Sequence, residues 1–298
     1  MQRSTRRLAL FTFLVAALAS GAVRAQTKAC RASGEVGQLP KMPGLQPLVL
    51  FTEFNPWAML VGGDTPTFAL YVDGTVIFWS GDGRAGRYLS TKLTAPELAS
   101  FSQELEEQQL SAVCPYYSLT QWTDQTTNRI VFQVHNGYKM IEVYGSLRAD
   151  HPAETGSDQL PPQLRRFLEK LIDFKSESAQ SWLPSFFEVV LWPFDYAKGK
   201  PAIWPADLPD LTDSKTVKHG DRYSVYIPIE KLDEWKSFSS KMTEKQAILL
   251  GGKKWTSSTR FPFPHEISPA SGRWNAPAFR PTKRASQPAA LFAPGPSQ

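Results

Sequence analysis

The sequence is poor in several residue types and patterns that usually announce chemistry. Only two cysteines, Cys30 and Cys114, and four histidines occur in 298 residues. Two thiols cannot build a structural zinc site without histidine partners, and no two histidines stand at metal-ligand spacing. His265-Glu266 is not followed by a second histidine at the required position, which excludes the HExxH zinc pattern. There is no G-x-S-x-G elbow. Gly62-Gly63-Asp64-Thr65 and Gly251-Gly252-Lys253-Lys254 lack the spacing of a phosphate loop, and Asp82-Gly83 lacks the alternating acids of a calcium loop. No catalytic residue, cofactor or metal site is therefore assigned.

Long apolar runs are also missing once the first 25 residues are set aside. That stretch, MQRSTRRLALFTFLVAALASGAVRA, has the three parts of a secretory signal. Arg3, Arg6 and Arg7 form the positive start, Leu8 to Ala19 the apolar middle, and Val23-Arg24-Ala25 the small-residue cleavage site. The apolar middle is shorter than the ~20 residues of a spanning helix, although an uncleaved anchor is the alternative. Arg6-Arg7 also suggests twin-arginine export, but Ala9 stands where that signal has a large apolar residue, so the ordinary route is preferred. Thr27-Lys28-Ala29 before Cys30 does not fit a lipoprotein signal. The expectation is a periplasmic or secreted protein.

The formal charge of +5 has the same origin. Removing the four arginines of the signal, which has no acid, leaves +1. Removing the four basic residues from Ser268 onward leaves 25 basic against 28 acidic residues. A nucleic-acid protein needs a basic footprint on its folded surface, so nucleic acid is not an expected partner. In an exported chain, Cys30 and Cys114 are most simply one disulfide, worth about 2–4 kcal/mol. The alternative is two independent thiols.

What is present is a regular run of turns, strands and helices. Residues 26–47 read as a leader or linker, and Leu48–Phe54 as a strand. Thr67–Val72 and Thr75–Trp79 form a hairpin around Asp73-Gly74, followed by a strand over Arg87–Leu93. Thr94 and Glu97 stand at capping-box spacing and open a helix with Leu98, Phe101 and Leu105 on one side. Cys114-Pro115 lies beyond it, and PYYSLTQWTDQTT is read as an aromatic link. Arg129–Val134 and Tyr138–Tyr144 are hairpin arms joined at Asn136-Gly137. After Pro161-Pro162, Leu164, Phe167, Leu168, Leu171 and Ile172 mark the clearest amphipathic helix. Further on, Phe186–Trp192 and Tyr223–Ile227 read as strands, a short helix carries Leu232, Trp235 and Phe238, and QAILL-GG-KKWTSSTR is a hairpin.

The fold class expected is α+β: an antiparallel sheet of hairpins with two amphipathic helices on one face, and a β-rich C-terminal half packed on it. The divisions are a signal at 1–25, a leader at 26–47, an α+β domain at 48–176, a β-rich half at 183–267 and a disordered Pro/Ala-rich basic tail at 268–298. The β-rich half belongs either to the same domain or to a small second one. The first hairpin is the puzzle. With a two-residue loop, Phe68, Leu70, Val72, Thr75, Ile77 and Trp79 share one side, and Ala69, Tyr71, Val76 and Phe78 the other. Both are apolar, and helices can cover only one. The C-terminal half or a partner must cover the second.

LYVDGTVIFW, the helix LTAPELASFSQEL, Thr123-Asp124, the strands IVFQV and KMIEVYG, and the helix PPQLRRFLEKLIDF together resemble a family of uncharacterised bacterial domains found mostly in exported proteins. The resemblance covers residues 65–175 and implies the α+β fold and an extracytoplasmic setting. No functional residue carries over from it.

His135, His151, His219 and His265 all fall at turns or loops, where a solvated histidine is expected. Asp64, Asp73 and Asp124 form a carboxylate cluster only if folding brings them together. Trp57, Trp122, Trp182, Trp192 and Trp204 stand near strand ends, where they either pack the core rim or stack on a ligand. The expected function is non-catalytic binding or structural, of unknown ligand, with an envelope protein or glycan as partner and Tyr116, Tyr117 and Trp122 as its surface. A cell-envelope hydrolase acting on glycan or peptide is the alternative. A third option is an extracytoplasmic subunit of a larger machine.

Overall fold

The computed structural model describes residues 44–56, 65–81, 86–107, 109–134, 137–148 and 159–266. The stretches expected as signal, most of the leader and tail, with Cys30, Trp57, Asp64, His135 and His151, lie outside them. The chain is broadly α+β, with two sheets and three helices among the described residues. No helix of these residues is long and apolar enough to cross a membrane.

The first sheet is built on β1 (Pro47–Phe54), whose neighbours are β2 (Phe68–Tyr71) and β6 (Thr127–Val134). Beyond β2 come β3 (Thr75–Ser80), β4 (Arg87–Lys92) and the short β8 (Gln180–Ser181). Beyond β6 come β7 (Gly137–Tyr144) and β5 (Tyr116–Ser118). Every pair is antiparallel except β5 and β7. So part of the stretch expected as a link, Tyr116–Ser118, is an edge strand reached from α1 (Ala95–Glu107) by a crossover.

One side of this sheet packs Val49, Phe51, Phe68, Leu70, Val76, Phe78, Ile130 and Ile141 in a cluster with Phe101 of α1. Leu164, Phe167, Leu168 and Leu171 of α2 (Pro162–Ile172) join it. The capping box forms: Thr94 N–H donates to Glu97 Oε2 at 2.7 Å, and Glu97 N–H to Thr94 Oγ1 at 3.4 Å. The Lys170 ammonium pairs with Glu104 and lies 4.6 Å from the Phe101 ring centroid, joining the two helices.

The first hairpin differs from expectation by one residue. Leu70 opposes Val76, not Ile77 as a two-residue loop requires, so the loop has three residues, Val72-Asp73-Gly74. Gly74 takes φ +83, its N–H donates to Tyr71 O, and an added Cβ would meet Leu93 O at 2.8 Å. This is a turn closed by a left-handed glycine. A one-residue slip moves every side chain of one arm to the other face. Phe68 and Leu70 therefore share a side with Val76 and Phe78, while Ala69 and Tyr71 share the other with Ile77. The second hairpin differs as well: Val134 opposes Gly137, so Gly137, expected in the turn, belongs to the strand.

The second sheet has the order β10 (Ala202–Ile203), β13 (Ile248–Leu250), β14 (Lys253–Arg260), β9 (Phe186–Pro193), β12 (Arg222–Pro228), β11 (Val217–His219). Gly251 and Gly252, at φ +58 and +73, make a two-residue hairpin turn between β13 and β14. One side buries Phe187, Val189, Leu191, Val225 and Ile227 with Leu232 and Trp235 of α3 (Leu232–Ser239). Trp235 Nε1–H donates to Thr259 Oγ1 at 2.8 Å.

From the end of β14, residues 261–266 run onto the second side of the first sheet. There Phe263 is fully buried in a cluster with Leu50, Ala69, Tyr71, Ile77 and Val131, with Tyr88, Trp182 and Met140 around it. Gly44 N–H and Leu45 N–H donate to His265 O and Pro264 O, which ties the start of the described chain to the same strap. The second apolar side of the hairpin is thus covered by the C-terminal half of the chain itself.

Candidate functional site

The strap does not cover the whole second side of the first sheet. Regular pairing makes Thr52 of β1 oppose Arg129 of β6, Arg129 oppose Glu142 of β7, and Glu142 oppose Tyr116 of β5. These four therefore form one straight row from the sheet centre to its edge. The adjacent row is Phe54, Thr127, Tyr144 and Ser118, by the same registers. Thr52, Arg129, Glu142 and Tyr144 are half-buried, while Tyr116 is 49% and Phe54 45% exposed. The row on the other side, Leu50, Val131 and Met140, belongs to the cluster under the strap.

The charges on this face are paired within it. Arg129 donates from Nε at 3.0 Å and Nη2 at 2.8 Å to Glu142 Oε1. Tyr144 Oη–H donates to Trp122 O at 2.9 Å and accepts from Gln125 N–H at 3.1 Å, and Trp122 N–H donates to Thr120 Oγ1. Asp124 follows at φ +58, a left-handed conformation that is uncommon outside glycine. The loop after β5 is thereby pinned to the sheet while Trp122 is 75% exposed.

Where this open area meets the strap there is a cavity of ≈ 20 Å³, lined by Leu50, Thr52, Pro66, Arg129, Val131, His265 and Glu266. That is room for about one water molecule. His265, expected on a solvated loop, is 2% exposed. Its Nδ1 lies 2.9 Å from Tyr71 Oη, and its backbone N–H also donates to that oxygen. Tyr71 Oη is thus held by residue 265 through both its ring and its backbone. Burial, with Arg260 adding to it, pushes the His265 pKa down to about 3, so the ring is neutral. Burial first, then Glu266, raises the Tyr71 phenol well above its ordinary value.

Behind the cavity lies an ionic row on the second side of the other sheet. Tyr226 opposes Glu188 and Glu188 opposes Arg260. Arg260 donates from Nε to Glu188 Oε2 at 2.5 Å and pairs through Nη1 with Glu266 Oε1 at 2.7 Å. The Glu188 and Arg260 side chains are 2% and 8% exposed. The other Glu266 oxygen accepts from Phe263 N–H at 2.6 Å. Burial, and Glu188 after it, raises the Tyr226 phenol, and burial and Glu266 raise Tyr88. A buried pair of this kind holds the strap in one place, since breaking it strands a charge.

The residues singled out from sequence are distributed over the fold. Tyr116 and Trp122 are exposed near the edge strand. Tyr117 points the other way, packs against the helix-side core and accepts from Cys114 N–H at 3.0 Å. No free cysteine occurs among the described residues, and Cys30 lies outside them. Asp73 accepts from Thr75 and Lys92 at the hairpin tip, near the Pro47 end of β1, whereas Asp124 precedes the β6 residues that pair with its Phe54 end. These two carboxylates do not converge. Trp204 is buried in the second core, and Trp182 packs at the strap. His219 is exposed at the end of β11. No group of three or more histidine, cysteine, aspartate or glutamate residues able to hold a metal occurs among the described residues. His265, Glu266, Arg129 and Thr52 were not nominated; the alternation in β6 and β7 does place Arg129 and Glu142 on one side, but nothing local points to the strap.

No protein family, curated protein or solved structure matches this chain.

Proposed function

We propose that the chain is an exported, non-catalytic binding protein that presents its edge-strand aromatics to an envelope partner. The scaffold in this reading is a sheet of hairpins with two helices behind it, so that the half of the opposite face not covered by the strap is left for recognition. The observation that carries the proposal is Trp122, three-quarters exposed on a loop fixed by backbone and side-chain hydrogen bonds, beside Tyr116. Large aromatic groups presented on a pre-ordered surface are the usual anchors of an interface. Export rests on the signal-like first 25 residues, and the Cys30–Cys114 disulfide belongs to the same proposal.

The hydrolase reading has one observation in its favour, the convergence of His265, Glu266 and Thr52 on a cavity. Their bonding argues for support over catalysis. Both Glu266 oxygens and His265 Nδ1 are already engaged, and a pKa of about 3 is far from that of an effective base at neutral pH. The test is retention of envelope-fraction material by the full chain and by Trp122→Ala. Loss of a retained component in the variant supports the proposal; an unchanged set of components refutes it.

A further inference from the structure

We propose that the open half of the first sheet's second face is a binding site for a neutral oligosaccharide, with one polar group of the sugar entering the cavity beside His265. This rests on the binding reading above and names the ligand class. The row from Thr52 to Tyr116 spans three strand spacings, about 14 Å, which suits a short run of pyranose rings and is narrow for a protein partner.

The chemistry of the face selects among ligands. Its two charges, on Arg129 and Glu142, neutralise each other, so neither an anionic nor a cationic polymer finds an unpaired counter-charge in the row. Aromatic rings at Tyr116, Phe54 and Tyr144 alternate with hydroxyl, guanidinium and carboxylate groups. Such a surface matches a molecule whose faces are apolar C–H and whose rim is hydroxyl. The paired Arg129 and Glu142 offer donors and acceptors to that rim. The cavity supplies the fixed end. His265 and Thr52 line the hollow, His265 is buried with Nδ1 held by Tyr71, and the hollow admits one group the size of a water. A sugar hydroxyl has that size and both donates and accepts, so it suits an imidazole in either tautomer. A carboxylate meets Glu266 in the same hollow, and the Arg129 that also lines it is already paired with Glu142.

The experiment is titration of the isotope-labelled chain with maltotetraose, cellotetraose and chitotetraose, read by NMR shifts, with polygalacturonate as the anionic control. The expected result is saturable binding of at least one neutral sugar, with shifts at Tyr116, Arg129 and His265. Affinity should be insensitive to raising salt from about 0.05 to 0.5 M, since no ion pair with the ligand is formed. Tyr116→Ala, at an exposed edge position where folding is not at stake, weakens binding about tenfold, and Tyr116→Phe retains it. No shift with any neutral sugar, binding of polygalacturonate alone, or a Tyr116→Ala variant that binds as well as the parent overturns the proposal. If sugars fail while envelope material is still lost on Trp122→Ala, the ligand class is wrong and the binding reading stands.

Discussion

Phe263→Ala removes the ring that fills the second side of the first sheet. Phe263 is 0% exposed, with Trp182, Tyr88 and His265 ring centroids at 5.1, 5.3 and 6.1 Å. Deleting a fully buried phenylalanine costs about 3–5 kcal/mol, because transfer energy and the residual hole both count. That is a large share of the ~5–15 kcal/mol that stabilises a domain. With a urea slope of about 3 kcal/mol/M, the unfolding midpoint falls by about 1–1.7 M. The loss is not confined to one half of the chain. The strap also carries Glu266, whose carboxylate holds Arg260, and accepts from Gly44 and Leu45 N–H. Amide hydrogen exchange at Leu45, Phe263 and Glu266 therefore speeds up ahead of the strands of either sheet. Phe263→Leu keeps most of the apolar volume and loses less. A Phe263→Ala chain less than about 1 kcal/mol below the parent, with protected strap amides, would refute the view that residues 261–266 are a packed part of both halves.

Arg260→Met leaves Glu188 and Glu266 buried without their shared cation and costs about 3–5 kcal/mol in urea unfolding, with part recovered when Glu188→Gln is added. Lys139→Met strips the ammonium that donates to Leu110, Ser111 and Val113 O, at 3.2, 2.6 and 2.5 Å, and costs about 1–3 kcal/mol by the same measurement. Gly74→Ala faces both a left-handed backbone and Leu93 O, so thermal unfolding shows a loss of about 1–2 kcal/mol or more. Asp73 is pushed up by partial burial, but the bonds from Lys92 and Thr75 outweigh that and hold its carboxyl below the ordinary 3.8. A carboxyl lowered in the folded state adds stability that is complete above 3.8 and lost as pH falls through the folded value. The pair is well exposed, so Asp73→Asn changes stability at neutral pH by less than about 1 kcal/mol and flattens the acid limb below pH 3.8.

Much of the local structure was legible because its causes are local. Thr94 and Glu97 three residues apart can satisfy each other's backbone donors whatever else the chain does, and they do. Two adjacent glycines between apolar arms suit a two-residue hairpin turn, and Gly251-Gly252 form one. The first hairpin was read one residue out because Asp73-Gly74 fits two loops equally well by composition. A two-residue loop and a three-residue loop ending in a left-handed glycine both favour that pair. The close approach of Leu93 O to Gly74 comes from the residue just past β4, beyond the hairpin, and accompanies the longer loop. Tyr116–Ser118 is not legible as a strand because it is three residues long and pairs in parallel with β7, a contact made only across the intervening strand β6.

The candidate site was less legible than the fold for a related reason. Alternation along β6 and β7 already puts Arg129 and Glu142 on one side and Ile130 and Ile141 on the other. What decides whether that polar side is solvent, core or site is the course of residues 261–266, which carry no periodicity. In FPFPHE, proline at every second position reads as a loop, and loops are expected on the surface. This one is buried because its groups find partners that only the assembled sheets supply. Arg260 lies at the end of the strand preceding the strap and faces Glu188, so Glu266 can be buried against a cation already in place. Tyr71, turned to the second side by the three-residue loop, meets His265 Nδ1. With the register expected from sequence, Tyr71 would share a side with Val76 and Phe78, the residues that face the helices, and His265 would lose its partner. The single-residue slip in LYVDGTVIFW therefore does more than choose a turn. It sets which face receives the strap, and so where the open half of that face, with its row of Thr52, Arg129, Glu142 and Tyr116, begins.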